Sequence, residues 1–418
     1  MKFKILSFSN FYLFFFLYLT LIMGFIYGEN LNYGSHSDWV GGNSSAIKDF
    51  SNNLTYTLLN FDSYNHRHSP IYLIFLSLFL DLGFDLNQVR LIHLHLCILL
   101  IPIFYQCLKL IFINTHINYL ALLSLIIFLS PTFRSLAIWP DSRLPGLIFF
   151  VLTIYFFLKF RKKSEVKYAW YTCVSLVVSS YISPNFSVFF PYFFFFILKE
   201  VKFKELSFLI IFNFLASLPI LYYIFVLDIN FLAAGTTPNL NNEIINFSFN
   251  LSDKIMIISS IIFFHLSPML VMGNFYNHFK NFLLKKFLKL ITLLAFLVYF
   301  FNYQIEYTGG GVFFILSNLL FNNNYFFYIG SFFFLSFVMY IASLSLNNFF
   351  LLTLIIVSNI QNTIYHKYYE PLILILFFTL IKYPEVESFL KKRKNIFYLY
   401  FLSFTYILMK VFKINYLV

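Results

Sequence analysis

Apolar runs of about 20 residues follow one another along most of the chain, and one long polar segment interrupts them. The first run covers Phe8 to Tyr27, and the mostly polar segment 28–69 follows it. Runs of this length suit α-helices that cross a bilayer, because a helix satisfies its own backbone hydrogen bonds in hydrocarbon. The pattern therefore predicts an all-α polytopic membrane protein with a loop after its first span.

The same pattern predicts about thirteen spans. After the first, the predicted spans are 88–112, 117–133, 143–160, 168–183, 184–198, 206–227, 253–274, 283–301, 325–345, 349–364, 370–384 and 396–413. The pair within 168–198 is short, and we expect Pro184 to form its turn. No linker or soluble domain separates these runs, so residues 1–418 are predicted to form one integral membrane domain, with 201–418 as a variable helical part.

Three segments are expected to lie at or in the membrane surface without crossing. Pro70–Phe84 and Val312–Phe321 are apolar but too short to span, which favours interfacial or re-entrant helices. Segment Ser44–Phe61 has apolar residues at helical i+3/i+4 spacing: Ile47, Phe50, Leu54, Leu58 and Phe61. This spacing predicts an amphipathic helix on the bilayer.

The basic residues orient the predicted topology. With a cytoplasmic N-terminus, 20 of the 29 Lys and Arg residues fall on the inner side, including the run Lys159–Lys167. The positive-inside rule favours this orientation, which puts 28–69 outside and fits a bacterial inner membrane. It also explains the net charge of +12 as topology, so nucleic acid is not an expected partner.

Composition excludes a water-soluble fold and a cysteine-based site. The chain is 60% hydrophobic and 11% charged, more apolar than a soluble protein can bury. Its cysteines, Cys97, Cys107 and Cys173, all lie in apolar runs and have neither a disulfide nor a metal-binding spacing.

Polar residues whose side chains could take part in binding or catalysis lie in three predicted outer-face segments. They are Asp38 and Trp39 with His66, His68 and Tyr72; Arg134, Asp141 and Arg143; and His366 with Lys367. A carboxylate can accept a proton from a nucleophile, and Arg or Lys can neutralise a phosphate. Charges at a membrane boundary are costly unless they serve a partner or a wet cavity.

The order of these features resembles the C-type glycosyltransferase (GT-C) superfamily, most of all bacterial enzymes related to protein mannosyltransferases and aminoarabinose transferases. The shared features are a first span, an outer loop with an Asp, a His-x-Pro-x-Tyr-like entry to a short helix, a Ser-Pro turn and a second outer Asp. The resemblance covers residues 1–200 and returns at 360–384. No single motif in it is specific.

The resemblance implies a fold and a reaction. A sugar carried on a polyprenyl phosphate would pass to a glycan, lipid or protein acceptor on the outer face of the cell envelope, usually with inversion. Asp38 matches the first-loop acidic position, which acts as general base, and Asp141 matches the second. Trp39 stands where the family often has another acid, so a divalent metal is open rather than expected.

Residue by residue, the resemblance makes His66 or His68, with Pro70, equivalent to the family's His-Pro entry. Trp39 and Tyr72 are further substrate-binding candidates. The candidates for binding the donor phosphate are Arg134, Arg143, His366 and Lys367.

Each candidate also has a structural interpretation. Asp141 can cap the helix that begins near Ser142, and Lys367 can anchor at the interface beside tyrosines. His66 and His68 can be ordinary hydrogen-bonding residues. Two other functions also stay open: an O-antigen-type polymerase or ligase, which places its functional Arg and His late in the chain, and a lipid-linked oligosaccharide flippase or transporter, which buries charges inside spans.

The topology can be tested with reporter fusions. A periplasm-active reporter at Asn53 and a cytoplasm-active reporter at Lys163 should each give signal, because the predicted spans put these residues on opposite sides. Equal signals from one reporter at both positions would contradict the orientation.

Overall fold

The fold is helical throughout the residues that the computed structural model describes: 8–64, 69–227, 250–271, 273–304, 309–358, 363–383 and 385–416. Helix accounts for 84%, and these residues include no strand. The predicted all-α class is therefore confirmed. The chain divides into two compact units, Met1–Ala234 with Ser403–Val418 (unit 1) and Gly235–Leu402 (unit 2). The predicted division near residue 200 stays a prediction.

Unit 1 is built mainly from helices that precede residue 227. They are α1 Phe8–Ile26, α2 Tyr33–Asp38, α3 Ser44–Asn52, α4 Leu54–Leu59, α5 Ile71–Asp81, α6 Leu86–Ile98, α7 Leu100–Ile111, α8 Ile117–Leu125, α9 Pro131–Ile138, α10 Arg143–Lys163, α11 Val166–Ile182, α12 Phe190–Glu200 and α13 Phe203–Phe225. A π-helical turn, Trp39–Asn43, joins α2 to α3. Three 3₁₀ segments are Phe61–Tyr64, Ile126–Leu129 and Pro184–Phe189.

Unit 2 contains the later helices. They are α14 Leu251–Leu266, α15 Gly273–Tyr299, α16 Gly311–Phe321, α17 Tyr325–Ser343, α18 Leu346–Val357, α19 Leu372–Thr379 and α20 Val386–Leu390. Its 3₁₀ segments are Ser267–Val271 and His366–Tyr368. The last helix, α21 Arg393–Tyr416, begins in unit 2, and its residues from Ser403 belong to unit 1.

In the part of the chain that the structure describes, seven helices are long and apolar enough to cross a membrane, which does not fit the predicted thirteen spans. They are Ser9–Ile26, Leu86–Ile111, Arg143–Lys163, Phe203–Phe225, Leu251–Val271, Tyr325–Ser343 and Arg393–Ile414. An eighth is counted if Ile117–Leu129 and Pro131–Ile138, which meet at 64°, form one bent span. The protein is thus an integral membrane protein by the character of its helices.

The surplus predicted spans fail for two physical reasons. Three of them form helices too short to cross, since α12, α18 and α19 have 11, 12 and 8 residues, and a fourth, α11, has 17 and lies at the lower limit of length. The predicted break at Pro184 is confirmed, since a 3₁₀ segment starts there. The fifth, α15, has 27 residues but carries Lys285, Lys286 and Lys289 in its central part.

The polar loop after α1 folds into several short helices. The predicted amphipathic helix 44–61 is wrong as one element, because Asn53 is extended and ends α3. Its side chain accepts a 3.0 Å hydrogen bond from the Tyr56 N–H and so caps α4. Ile47 and Phe50 are buried as their spacing predicts, whereas Leu54 is exposed.

The ends of three helices in unit 2 meet at one asparagine side chain. The Asn348 side chain, at the start of α18, bonds the carbonyls of Ile341 and Lys382 and accepts from the Lys382 N–H, at 2.8–3.0 Å. The ends of α17, α18 and α19 therefore meet. At 1.5 Å per residue, α18 and α19 extend about 18 and 12 Å from this point, against about 28 Å for α17.

Helix α16 also starts inside unit 2 rather than at its end. Gly311 has a φ of +76°, and a Cβ there would lie 3.1 Å from a side-chain carbon of Ile261, in the middle of α14. Glycine is therefore required by both conformation and space. The short helices predicted for 70–84 and 312–321 are confirmed as α5 and α16.

The Asn348 junction can be tested by stability. Asn348→Ala should lower the free energy of unfolding by about 2–4 kcal/mol, because it leaves buried backbone groups without partners. The thermal midpoint of the purified protein in detergent is the measurement. Asn347→Ala, which removes one hydrogen bond to Leu380, is the control and should cost less. Equal losses would contradict the role given to Asn348.

Candidate functional site

The two polar segments of unit 1, 28–64 and 130–143, pack against each other. Three hydrogen bonds of 2.9–3.0 Å join them: Asn32 N–H to Ser135 Oγ, Trp139 Nε1–H to the Glu29 carbonyl, and Asn43 Nδ2–H to the Pro140 carbonyl. The segment 130–143 begins with a capped helix, since Ser130 Oγ accepts from the Phe133 N–H and Pro131 occupies the first turn. We call this assembly the loop site.

A bidentate ion pair lies at the base of the loop site. Arg134 Nε and Nη2 lie 2.7 and 2.6 Å from the two carboxylate oxygens of Glu29, just beyond α1. The same guanidinium donates to the Thr20 carbonyl at 2.9 Å and to its hydroxyl at 3.2 Å. A Cβ on Gly24 would come within 2.7 Å of Glu29 Oε2, so a glycine makes room for the carboxylate.

The contacts with Glu29 and Thr20 occupy most of the hydrogen-bonding groups of Arg134. Four of its five N–H groups are used by Glu29 and Thr20, and its side chain is 7% exposed. A bound phosphate would have to displace Glu29, so the phosphate role predicted for Arg134 stays a prediction. Sequence reasoning missed Glu29, although an acid two residues beyond an apolar run is a signal for a partner.

Trp139 is the aromatic centre of the loop site. The Arg90 guanidinium carbon lies 3.9 Å from its ring centroid, a cation–π contact, and the His36 ring meets it edge-on at 4.4 Å. Arg90 Nε also donates to the Ile138 carbonyl at 3.3 Å. Arg90 was not among the sequence candidates, because a cation–π contact between distant segments leaves no local pattern.

Asp38 and Trp39 differ in their exposure to solvent. Asp38 is exposed at the end of α2, whereas Trp39 opens the π-helical turn and is buried. An exposed carboxylate can receive a proton from an incoming acceptor, as its predicted role requires. The burial of Trp39 favours packing over sugar contact.

Asp141 and Arg143 are both buried beside the start of α10. The Arg143 backbone N–H donates to Asp141 Oδ1 at 2.7 Å. The carboxylate therefore acts in the way a helix cap does, as its alternative interpretation requires. Both residues remain candidates, because they lie next to Pro140, which Asn43 ties to the first loop.

Tyr72 belongs to a buried hydrogen-bonded chain. His93 Nε2 donates to the Leu136 carbonyl at 2.8 Å, so Nδ1 is the acceptor for the Tyr72 hydroxyl. Burial raises the pKa of Tyr72 well above its usual value, and the charge of Asp141 adds to the effect. The hydroxyl is thus a fixed donor inside unit 1, which favours a positioning role.

The remaining first-loop histidines, His66 and His68, lie outside the described residues. Just before them in the sequence, the Tyr64 hydroxyl donates to Asp49. Burial, followed by this bond, raises the pKa of Tyr64 to about 12. Asp49, on α3, therefore has a structural partner in the 3₁₀ segment Phe61–Tyr64.

The candidates His366 and Lys367 belong to unit 2. His366 Nε2 lies 2.7 Å from His265 Nε2, and Lys367 Nζ is 5.5 Å from the Tyr365 ring centroid. With Glu370, the two histidines bring three ligand atoms within 4.8 Å of one another. The predicted phosphate ligands thus fall in two units.

A second buried polar group in unit 2 was missed by sequence reasoning. Asp253 and Lys254, at the start of α14, are both buried. Asp253 accepts from the Asn302 N–H at 3.0 Å, and its own N–H donates to Asn250 Oδ1 at 3.3 Å. Both residues lie in the first turn of the candidate span Leu251–Val271, and buried charges within spans mark functional positions in many membrane proteins.

The Glu29–Arg134 pair can be tested by a double-mutant cycle. Glu29→Gln and Arg134→Gln should each destabilise the protein by about 3 kcal/mol, because each leaves a charge uncompensated. The double variant should lose less than the sum, as measured by thermal unfolding in detergent. Glu165→Gln with Lys167→Gln is the control cycle; that pair is exposed and should change stability by less than about 1 kcal/mol. Additive losses at Glu29 and Arg134 would contradict the pairing.

Comparisons with protein-family models, curated proteins and solved structures give no match.

Proposed function

We propose that the protein is a membrane glycosyltransferase that moves a sugar from a polyprenyl-phosphate carrier to an acceptor on the outer face of the membrane. The observation that carries the proposal is the loop site itself. The polar segment with the exposed Asp38 is hydrogen-bonded onto the segment with Asp141 and Arg143. Membrane lipids and a lipid-linked sugar are the partners this implies.

In the proposed reaction Asp38 is the general base. Its carboxylate takes the proton of an acceptor hydroxyl while the acceptor oxygen forms a bond to the anomeric carbon. The bond between that carbon and the phosphate oxygen breaks, and the electron pair leaves with the lipid phosphate. Attack from the face opposite the leaving group inverts the anomeric centre.

The leaving phosphate needs a cation near segment 130–143. Arg143 is the candidate in unit 1, since Arg134 is engaged by Glu29. We assign Arg134 a positioning role, in which it fixes Glu29 and thus the start of the first loop. Asp141 holds the Arg143 backbone and so orients the beginning of α10.

A transporter of lipid-linked sugars is the second candidate, and unit 2 is what favours it. Its helices α16, α18 and α19 are short, and Asp253 and Lys254 are buried in the first turn of a candidate span. Broken helices and buried charges are features of transporters. A transporter would move labelled lipid-linked sugar across vesicles without consuming it, whereas the transferase would convert it.

Asp38→Asn tests the proposed reaction. The change keeps the shape of the side chain and removes its ability to accept a proton, so transfer should fall by about 10²–10⁴-fold. The measurement is transfer from a panel of labelled polyprenyl-phosphate sugars by purified protein in lipid vesicles. Protein yield and thermal midpoint should stay unchanged, because Asp38 is exposed.

Asp49→Asn is the matched control for this measurement. It changes an acid on the neighbouring helix, and its amide oxygen can still accept from Tyr64. Transfer should stay within about threefold of the unchanged protein, far from the loss expected of a general base. Near-full transfer by the Asp38 variant would refute the assignment.

A further inference from the structure

We propose that His265, His366 and Glu370 form a binding site for one divalent transition-metal ion, with Zn²⁺ as the ion that the donor set favours. The three residues come from separate parts of unit 2. His265 lies in the last turn of α14. About 100 residues later along the chain, His366 is the first residue of the 3₁₀ turn His366–Tyr368, and Glu370 follows that turn. Their ligand atoms lie within 4.8 Å of one another.

The backbone fixes the turn that carries His366 and Glu370. The N–H groups of Tyr369 and Glu370 both donate to the His366 carbonyl, at 3.0 and 3.2 Å. Residues four apart in such a turn lie on the same side, which brings the imidazole and the carboxylate together. Ile364, two residues before this turn, anchors it: the Ile364 carbonyl accepts a hydrogen bond from the Gly310 N–H at 3.0 Å.

Ile364 has a second anchor. Its N–H donates to the Tyr303 hydroxyl at 3.0 Å. Both backbone groups of this residue are therefore bonded to the segment before α16. The ligand-bearing turn is positioned by fixed backbone contacts, which is the support that a metal site requires.

The imidazoles face each other through their Nε2 atoms at 2.7 Å. Two such nitrogens cannot both carry a hydrogen towards each other, so at least one presents a lone pair. Tetrahedral Zn²⁺ with bonds of about 2.0–2.1 Å holds its ligand nitrogens about 3.4 Å apart. Small rotations of the two side chains reach that spacing.

The surroundings favour a cation at this position. The Phe264 ring contacts both imidazoles, with centroids 5.2 Å from His265 and 6.0 Å from His366. Glu370 is 6% exposed. A carboxylate in apolar surroundings is stabilised by a positive ion, and two histidines with one carboxylate are a Zn²⁺ donor set that leaves a fourth position for water or another ligand.

This inference goes beyond the proposed sugar transfer, which uses unit 1. It also gives His366 a metal ligand's role in place of the phosphate contact predicted for it. The two proposals can be tested independently, because their experiments change different residues and measure different quantities.

Co²⁺ is the probe for the site, because its visible absorption reports tetrahedral coordination by nitrogen and oxygen. The full-length protein in detergent, stripped with a chelator, should bind one equivalent of Co²⁺ and release it to Zn²⁺. His265→Gln, His366→Gln and Glu370→Gln should each weaken binding by more than about tenfold. His278→Gln is the control: it removes an exposed histidine 3.5 Å from Glu385 and should leave binding unchanged.

His366→Cys keeps the test decisive where loss of a ligand reduces folding. A thiolate also binds Co²⁺ and Zn²⁺, so this variant should retain the metal and add a sulfur-to-cobalt absorption band. Absence of stoichiometric Co²⁺ binding by the unchanged protein would overturn the proposal. So would equal affinities for the unchanged protein and the three ligand variants.

Discussion

The ion pair between Glu29 and Arg134 is the contact on which the arrangement of unit 1 depends. It joins the residue that follows α1 to a helix more than 100 residues later, and it does so with two parallel hydrogen bonds. Because Arg134 also bonds Thr20 inside α1, the guanidinium fixes both the end of the first span and the start of the loop. In an apolar membrane environment, either charge without its partner would cost free energy, so Glu29 and Arg134 pair specifically with each other.

In unit 2, too, polar groups away from water must find partners within the protein. Helices that stop inside a bundle leave backbone groups without helical partners, and these groups must be satisfied elsewhere. Asn348 does this for the ends of α17 and α19, and Tyr303 and Gly310 do it for Ile364. Short helices are therefore tolerated here where side chains or neighbouring backbone complete their hydrogen bonding.

The sequence predicts local features well, because hydropathy and capping act over a few residues. It finds the helical class, the short apolar segments α5 and α16, and the break at Pro184. It overestimates the spans because an apolar run of 12 residues before a turn has the same hydropathy as a crossing helix. The turns decide how long each helix is, and in α15, which is long enough, the central lysines reduce the hydropathy.

The candidate sites are harder to predict, because their contacts join distant segments. The pairs Glu29–Arg134 and His265–His366 are separated by 105 and 101 residues, and no spacing rule links their members. The sequence does identify Asp38, Asp141 and Arg143 as neighbours of polar turns, since loops carry reactive residues. It cannot tell that Asp38 is exposed while the other two are buried.

That difference in burial bears on how the loop site could divide its chemistry. A general base must meet an acceptor that arrives from water, so an exposed carboxylate suits it. A group that neutralises a lipid phosphate gains strength where the local dielectric is low, so a buried arginine suits it. Asp38 and Arg143 have these two environments, and the hydrogen bond from Asn43 to Pro140 joins the segments that carry them. For the proposed transfer, the loop site thus offers an exposed acid–base position and a separate, buried position for stabilising charge.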